Sequence, residues 1–203
     1  MEATLELASE RGYDGTSIAL VTERTGLPAS SIYWHFRNKD ELLAATVEYS
    51  YVTWRREAPT WEARATFADT RAEIHDRLQR AARAIVDSPA FWRLGLMLGL
   101  EHRLVEPAAR RRYLDARSDT ERAIAQWWVQ VLGTILAESG RAGEVSDEDV
   151  ATVGRRLARF HLALMDGLFM GLIGSEEWDL TRTVDLVSDG LYVQAQRWLG
   201  VMA

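Results

Sequence analysis

An all-α fold is predicted for this chain by three observations. Beyond about residue 50 apolar residues recur at intervals of three and four, the alternation of β-branched residues that marks strands is absent, and only four prolines occur in 203 residues, each at the edge of a helical stretch. With 47% hydrophobic content, a chain of this length can bury either one core or that of a small head and a larger body.

The first helix should stop at Gly12, which follows Glu10-Arg11 and tolerates positive φ. Thr16 or Ser17 then offers an oxygen to the free N–H groups of a second helix, whose inward face carries Ile18, Val21 and Thr25. Gly26 ends it, Leu27 anchors the turn, and Pro28 has the fixed φ that suits the opening of the next helix. The third helix runs from about Ala29 to His35. It is too short to be stable alone, so Ile32 and Phe36 must hold it from the inside and leave its outer face free. Asn38 can cap the fourth helix, with Glu41 reaching back to the Asn38 N–H. Lys39 at that positive helix end is unfavourable unless an anion is shared between its ammonium and the exposed N–H groups, as a DNA phosphate would be.

Helix four is expected from Lys39 to about Arg56, ending before Pro59. Helix five follows from about Trp61 to Val86 and stops at Asp87-Ser88-Pro89. Helix six covers Phe91 to His102. Pro107 opens a seventh that runs to Gly140. Ser146 caps an eighth, with Asp149 as its acidic third residue, extending to about Gly174. Trp178 leads into a ninth that ends near Trp198-Leu199.

The N-terminal pattern resembles that of TetR-family transcriptional repressors, roughly G-[YF]-x-x-T-[ST], then G-V-S, then Y-x-H-F-x-x-K-x-x-L-L. It stands here as Gly12-Tyr13, Thr16-Ser17, Val21-Thr22, Gly26-Leu27-Pro28, Tyr33-Trp34-His35-Phe36, Lys39 and Leu42-Leu43. The resemblance implies a helix-turn-helix DNA-binding domain over 1–46 and a helical effector-binding and dimerisation domain over 47–203. It places Ala29, Ser30, Ser31, Tyr33 and Trp34 on the groove-facing helix, makes Tyr33, His35 and Lys39 available to phosphates, and sets Ser17 and Ile18 beside the backbone. Three departures stand out. Family members carry a basic arm and a complete first helix, whereas Met1 falls inside that helix, so either the N-terminus is truncated or this protein lacks the arm. Pro28 replaces a capping serine. The reading helix has no arginine, which removes strong bidentate guanine contacts and leaves shape and water-mediated readout.

Residues 1–50 hold four basic side chains (Arg11, Arg24, Arg37, Lys39) against eight acidic ones. DNA affinity depends on neutralising phosphates, so weak binding with a shallow salt dependence is expected. The chain has no cysteine, which fits a reducing compartment. There is neither a basic leader nor a run of about eighteen uninterrupted apolar residues. These features point to a cytoplasmic protein with no membrane partner.

Helices eight and nine are apolar around more of their circumference than one contact requires. Leu157, Leu164, Leu168 and Leu172 with Val184, Val187, Leu191 and Trp198 form stripes that the resemblance assigns to a four-helix homodimer interface, with Gly167, Gly171 and Gly190 allowing close approach. An ordinary monomer core explains the same pattern. In a dimer, two reading helices about one DNA turn apart, roughly 34 Å, would face a palindromic operator.

Phe91, Trp92, Met97, Trp127, Trp128, Phe160 and Phe169 come from helices six to eight, where aromatic walls suit a flat or lipophilic small molecule. Each taken singly is also what a plain core uses. His102, His161, Glu101 and Asp166 are candidate polar anchors.

No catalytic motif is present: no cysteine nucleophile, G-x-S-x-G, P-loop or H-E-x-x-H. Neither Glu73 with His75 nor Glu101 with His102 shares a helical face, so no metal site, cofactor or enzyme activity is expected. Two function classes stay open. One is a repressor released from its operator by an apolar or aromatic effector, with Leu42, Leu43, Val47 and Tyr51 on helix four as the coupling residues. The other is a helical dimer that binds small molecules and reads DNA weakly or not at all.

Overall fold

The computed structural model describes residues 1–58, 61, 69–101, 104–174 and 178–201. Among them are nine helices, α1 (Glu2–Gly15), α2 (Ile18–Thr25), α3 (Ala29–His35), α4 (Lys39–Glu57), α5 (Thr70–Asp87), α6 (Pro89–Leu100), α7 (Ala108–Glu138), α8 (Asp147–Gly174) and α9 (Leu180–Leu199), and no strand. By contacts the chain forms two compact units, Met1–Glu57 with Asp87–Ser118, and Ala58–Val86 with Asp119–Ala203.

In the first unit, the N-terminal helices are fixed by backbone chemistry that the residues dictate. Gly12 breaks α1 with φ 72° and ψ −178°, a conformation closed to other residues. The Thr16 hydroxyl donates to the Gly12 carbonyl at 2.8 Å, securing the bend. Ser17 Oγ accepts from the Leu20 N–H at 3.2 Å, and Gly26, at φ 69°, returns its N–H to the Thr22 carbonyl. A small aliphatic core of Leu7, Ile18, Val21, Ile32 and Leu42, flanked by Leu20 and Phe36, holds α1 to α3 together. Next to it Ala8, Leu43, Val47, Leu94, Leu98, Ala109 and Tyr113 form a second cluster. Consecutive leucines of α4 thus serve different cores.

The opening of α4 departs from expectation in one detail. Asn38 Oδ1 accepts from the Glu41 N–H at 2.9 Å, but the Glu41 carboxylate accepts from the Arg37 N–H at 2.7 Å rather than from that of Asn38. The box is offset by one residue and still satisfies an otherwise orphaned donor. Asp40 is used across the fold: its carboxylate accepts from the Ala108 and Ala109 N–H groups at 2.9 and 3.3 Å. It caps α7 from α4.

In the second unit α8 packs along α9. Ser146 Oγ accepts from the Asp149 N–H to start α8, and Asp179 does the same for α9 through the Arg182 N–H. His75 and Arg71 on α5 pair with Asp185 and Asp189 of α9, each at 2.7 Å. By length and composition α8 is apolar enough to cross a bilayer, with a mean hydropathy of 1.3 over 18 residues. Its apolar side chains divide between two faces, one inside the unit and one outside.

Two boundaries differ from the sequence expectation. Helix six begins at Pro89, which takes the first helical position where its missing N–H is harmless. The expected start of helix five at Trp61 is not seen: Trp61 lies outside any helix, α5 begins at Thr70, and 62–68 lie outside the described residues.

Candidate nucleic-acid interface and ligand core

Six of the seven residues of α3 are exposed, and only Ile32 is buried. The helix is short and carries no side-chain cap, so its place depends on Ile32 and on the Phe36 N–H, which closes onto the Ile32 carbonyl at 2.9 Å. Ala29, Ser30, Ser31, Tyr33, Trp34 and His35 all face solvent. Trp34 is 83% exposed, with the His35 ring edge-on to it at 4.8 Å. Tyr33 beside it is 56% exposed, so the two rings together leave apolar surface in water. Ser17 is also exposed, and its hydroxyl is engaged as the α2 cap.

Lys39 is half-buried. Its ammonium donates to the Tyr13 carbonyl at 2.9 Å and lies 4.4 Å over the Tyr13 ring centroid. This contact repays part of the unfavourable placement of a cation at a helix N-terminus. Arg24 is drawn back onto α1, at 3.2 Å from Glu6 and 4.0 Å from Glu10, so it faces carboxylates of its own chain.

The residues expected around an effector divide between the units. Phe91, Trp92 and Met97 belong to the first, where Trp54 stacks on Phe91 at 5.6 Å and meets Trp92 edge-on at 5.8 Å. Trp127, Trp128, His161 and Phe169 are buried in the second. His102 lies outside the described residues, and Glu101 is the C-cap of α6. Asp166 is half-buried on α8. Phe160 needs correction: it is 39% exposed and sits on the outward face of α8.

The second unit's interior is unusually polar. His161 is fully buried between Trp61 and Trp127, with ring centroids 5.0 and 6.4 Å away. Burial pushes its imidazole down from 6.5 to about 3, so it is neutral. Among the described residues, neither its two ring nitrogens nor the buried indole N–H groups of Trp127 and Trp128 have a hydrogen-bond partner. Arg77 and Glu73 form a buried ion pair at 2.7 Å, the guanidinium 5.9 Å from the Trp127 ring. The i, i+4 spacing of Glu73 and Arg77 was the available sequence signal, but nothing in it separates a buried pair from a solvated one. Among the described residues no group of three His, Asp or Glu side chains could hold a metal ion.

The α8 and α9 stripes also need correction. Leu157, Leu168, Val184 and Leu191 are buried inside the chain itself, so their side chains are unavailable to another molecule. Leu164, Leu172 and Val187 are half-buried, and Trp198 is exposed at its edge. The apolar face that remains outside runs through Phe160, Ala163, Gly167 and Met170 on α8 and Leu186, Gly190 and Val193 on α9. A Cβ at Gly167 or Gly190 would meet nothing within 4 Å, whereas Gly171 is covered by the Trp178 ring.

The fold and its exposed third helix define an all-α helix-turn-helix protein with a helical body. Residues 1–46 match the family model described as bacterial regulatory proteins, tetR family. Over 48 residues the chain is 44% identical to the class A tetracycline repressor protein from transposon 1721 of Escherichia coli, covering 24% of this chain. The match spans about a fifth of that curated relative's length, 22%. Over 196 residues the chain is 25% identical to the HTH-type transcriptional regulator BetI of Paraburkholderia phymatum, covering 93% of this chain and 87% of the relative. The fold is also similar to that of FadR from Bacillus subtilis, solved in complex with stearoyl-CoA, with a TM-score of 0.64 and 16% identity over 94% of each chain. Over residues 1–46 the chain is thus similar to the tetR family of bacterial regulatory proteins, and over most of its length it shares the fold of solved regulators of that kind.

Proposed function

We propose that this protein is a ligand-responsive, DNA-binding transcriptional repressor that acts in the cytoplasm as a homodimer. The observation that carries the reading is α3: seven residues secured by one buried side chain, with Tyr33 and Trp34 exposed on a face that no other element covers among the described residues. In this reading residues 1–46 read DNA, and the hydroxyls of Ser30, Ser31 and Tyr33 meet base edges and phosphates in the major groove. Lys39 offers its two remaining N–H donors to a phosphate, and Ser17 opens α2 beside the same strand.

The second copy would pack on the outward stripe centred on Gly167 and Gly190, where the missing side chains let two helix pairs approach closely. An exposed apolar stripe on a helix otherwise packed in its unit fits a protein partner. The effector would be a lipophilic or aromatic molecule carrying a neutral acceptor, satisfied by the Trp127, Trp128 and His161 nitrogens in the second unit's core. The stearoyl-CoA bound by a FadR of similar fold is lipophilic in the same sense. Helix α4 would carry the signal, since Leu42 belongs to the head's core and Leu43 and Val47 to the neighbouring cluster.

One observation favours a second reading, a small-molecule-binding dimer with weak or lost DNA affinity. Arg24 is held by Glu6 and Glu10, in a head whose carboxylates outnumber its basic groups. Mobility-shift titrations with duplex from upstream of the protein's own gene, at two salt concentrations, separate the two. A repressor gives a specific complex, Trp34→Ala weakens it, and Lys39→Ala lowers the salt slope by about 1. Equal affinity for the upstream duplex and a scrambled one would leave only the second reading standing.

A further inference from the structure

The first unit holds a concave site away from the reading helix. Where α1, α4 and the opening of α6 meet lies a cleft of about 260 Å³, smaller than the roughly 300–1,000 Å³ typical of drug-sized ligands. Its wall is aromatic. Trp54 is only 5% exposed, its ring nearly parallel to that of Phe91, and Tyr49 stands beside them. The rim is acidic, with Glu2, Glu6 and Asp87, and among the described residues neither lysine nor arginine lines it.

The groups around the cleft differ in what they have left to offer. Glu2 accepts from the Tyr49 phenol at 3.1 Å, and Glu6 pairs with Arg24. Asp87 makes no hydrogen bond or ion pair among the described residues. Trp54 Nε1 is buried and has no acceptor among the described residues, and a buried indole N–H ordinarily finds one. Carboxylates beside aromatic faces attract a desolvating cation more strongly than either does alone. An anion is repelled by the rim, and a bare metal ion makes no use of the wall.

We infer that this cleft binds a small organic ammonium ion whose apolar body bears an oxygen acceptor. The ammonium lies against Asp87 and Glu2 and over the face of the aromatic wall, and the oxygen accepts from Trp54 Nε1–H. The site is separate from the effector core around His161, so it gives the head's own unit a second ligand-sensitive position.

Calorimetric titration of the full chain with 4-methoxybenzylammonium tests this. Saturable binding of one equivalent is expected, with 4-methoxybenzyl alcohol and 4-methoxybenzoate at least about tenfold weaker. Asp87→Asn, a surface change that leaves the fold alone, should weaken the ammonium about three- to tenfold. Trp54→Phe keeps a ring but removes the N–H, and should erase the preference for 4-methoxybenzylammonium over benzylammonium. Absence of binding at millimolar concentration, equal affinity for the neutral alcohol, or an Asp87→Asn variant that binds as tightly as the parent overturns the assignment.

Discussion

The head's core and the interior of the second unit are built from different materials. The head's core, Leu7, Ile18, Val21, Ile32 and Leu42, is wholly aliphatic, and the hydroxyls of Thr16 and Thr46 buried beside it are satisfied by backbone carbonyls. In the second unit the interior encloses an ion pair, a neutral histidine and indole N–H groups without partners among the described residues. Buried aliphatics give stability without directional demands, so the head is suited to present one rigid surface. Buried polar groups lower stability unless something satisfies them. An interior that retains several is suited to a ligand that supplies the missing partners.

The contrast can be broken most forcefully at Glu73. Glu73→Ala leaves the Arg77 guanidinium buried beside Trp127 and should destabilise the protein by about 3–5 kcal/mol in denaturant unfolding, whereas Glu73→Leu combined with Arg77→Met should restore most of it. If the double variant is as unstable as the single, the uncompensated Arg77 charge is not the source of the loss. Next is Ile32→Ala, expected to cost about 3 kcal/mol in the head and to abolish operator binding. Hydrogen exchange should report the loss at α3 while amides of α8 and α9 stay protected.

His161 sharpens the comparison through pH. Its folded-state value lies below that of the unfolded chain, 6.5 lowered to about 3, so the unfolded state takes up the proton first as pH falls. Stability from this group is complete above about pH 6.5 and is lost progressively between there and pH 3, by about 2 kcal/mol at pH 5. Comparing unfolding midpoints of the parent and His161→Phe from pH 7.5 to 5 isolates the effect. Parallel curves would show that the imidazole is not buried neutral. The smallest effect is expected at Asp40→Ala, which removes the cap that α4 gives α7 and should lower stability by about 1 kcal/mol. Asp40→Asn, which retains an acceptor, should recover part of it.

Much of the head was legible because its signals are local. Ala29 to His35 emerged at the expected bounds since Gly26, Pro28 and the shortness of the apolar run leave few alternatives. Gly12 took the positive φ its position called for. The α8 and α9 faces were not legible in the same way. Leu157 and Phe160 lie three residues apart on one helix, and hydropathy ranks both as core, yet one is buried and the other is outside. A helix apolar on two sides satisfies the period of 3.6 whichever side turns inward. The cleft lined by Glu2, Asp87 and Trp54 was likewise hidden, because residues so distant in sequence share no pattern.

The sequence by itself determined most of the helices, the local caps at Ser17, Asn38 and Ser146 and the exposed α3, because each follows from hydrogen bonds and apolar spacing within a few residues. Tertiary structure alone decided which apolar face stays outside, that Asp40 caps a helix 68 residues away, and that His161 is neutral. Those outcomes depend on burial and on partners brought together by packing, and burial is a property of the assembled chain rather than of any segment in it.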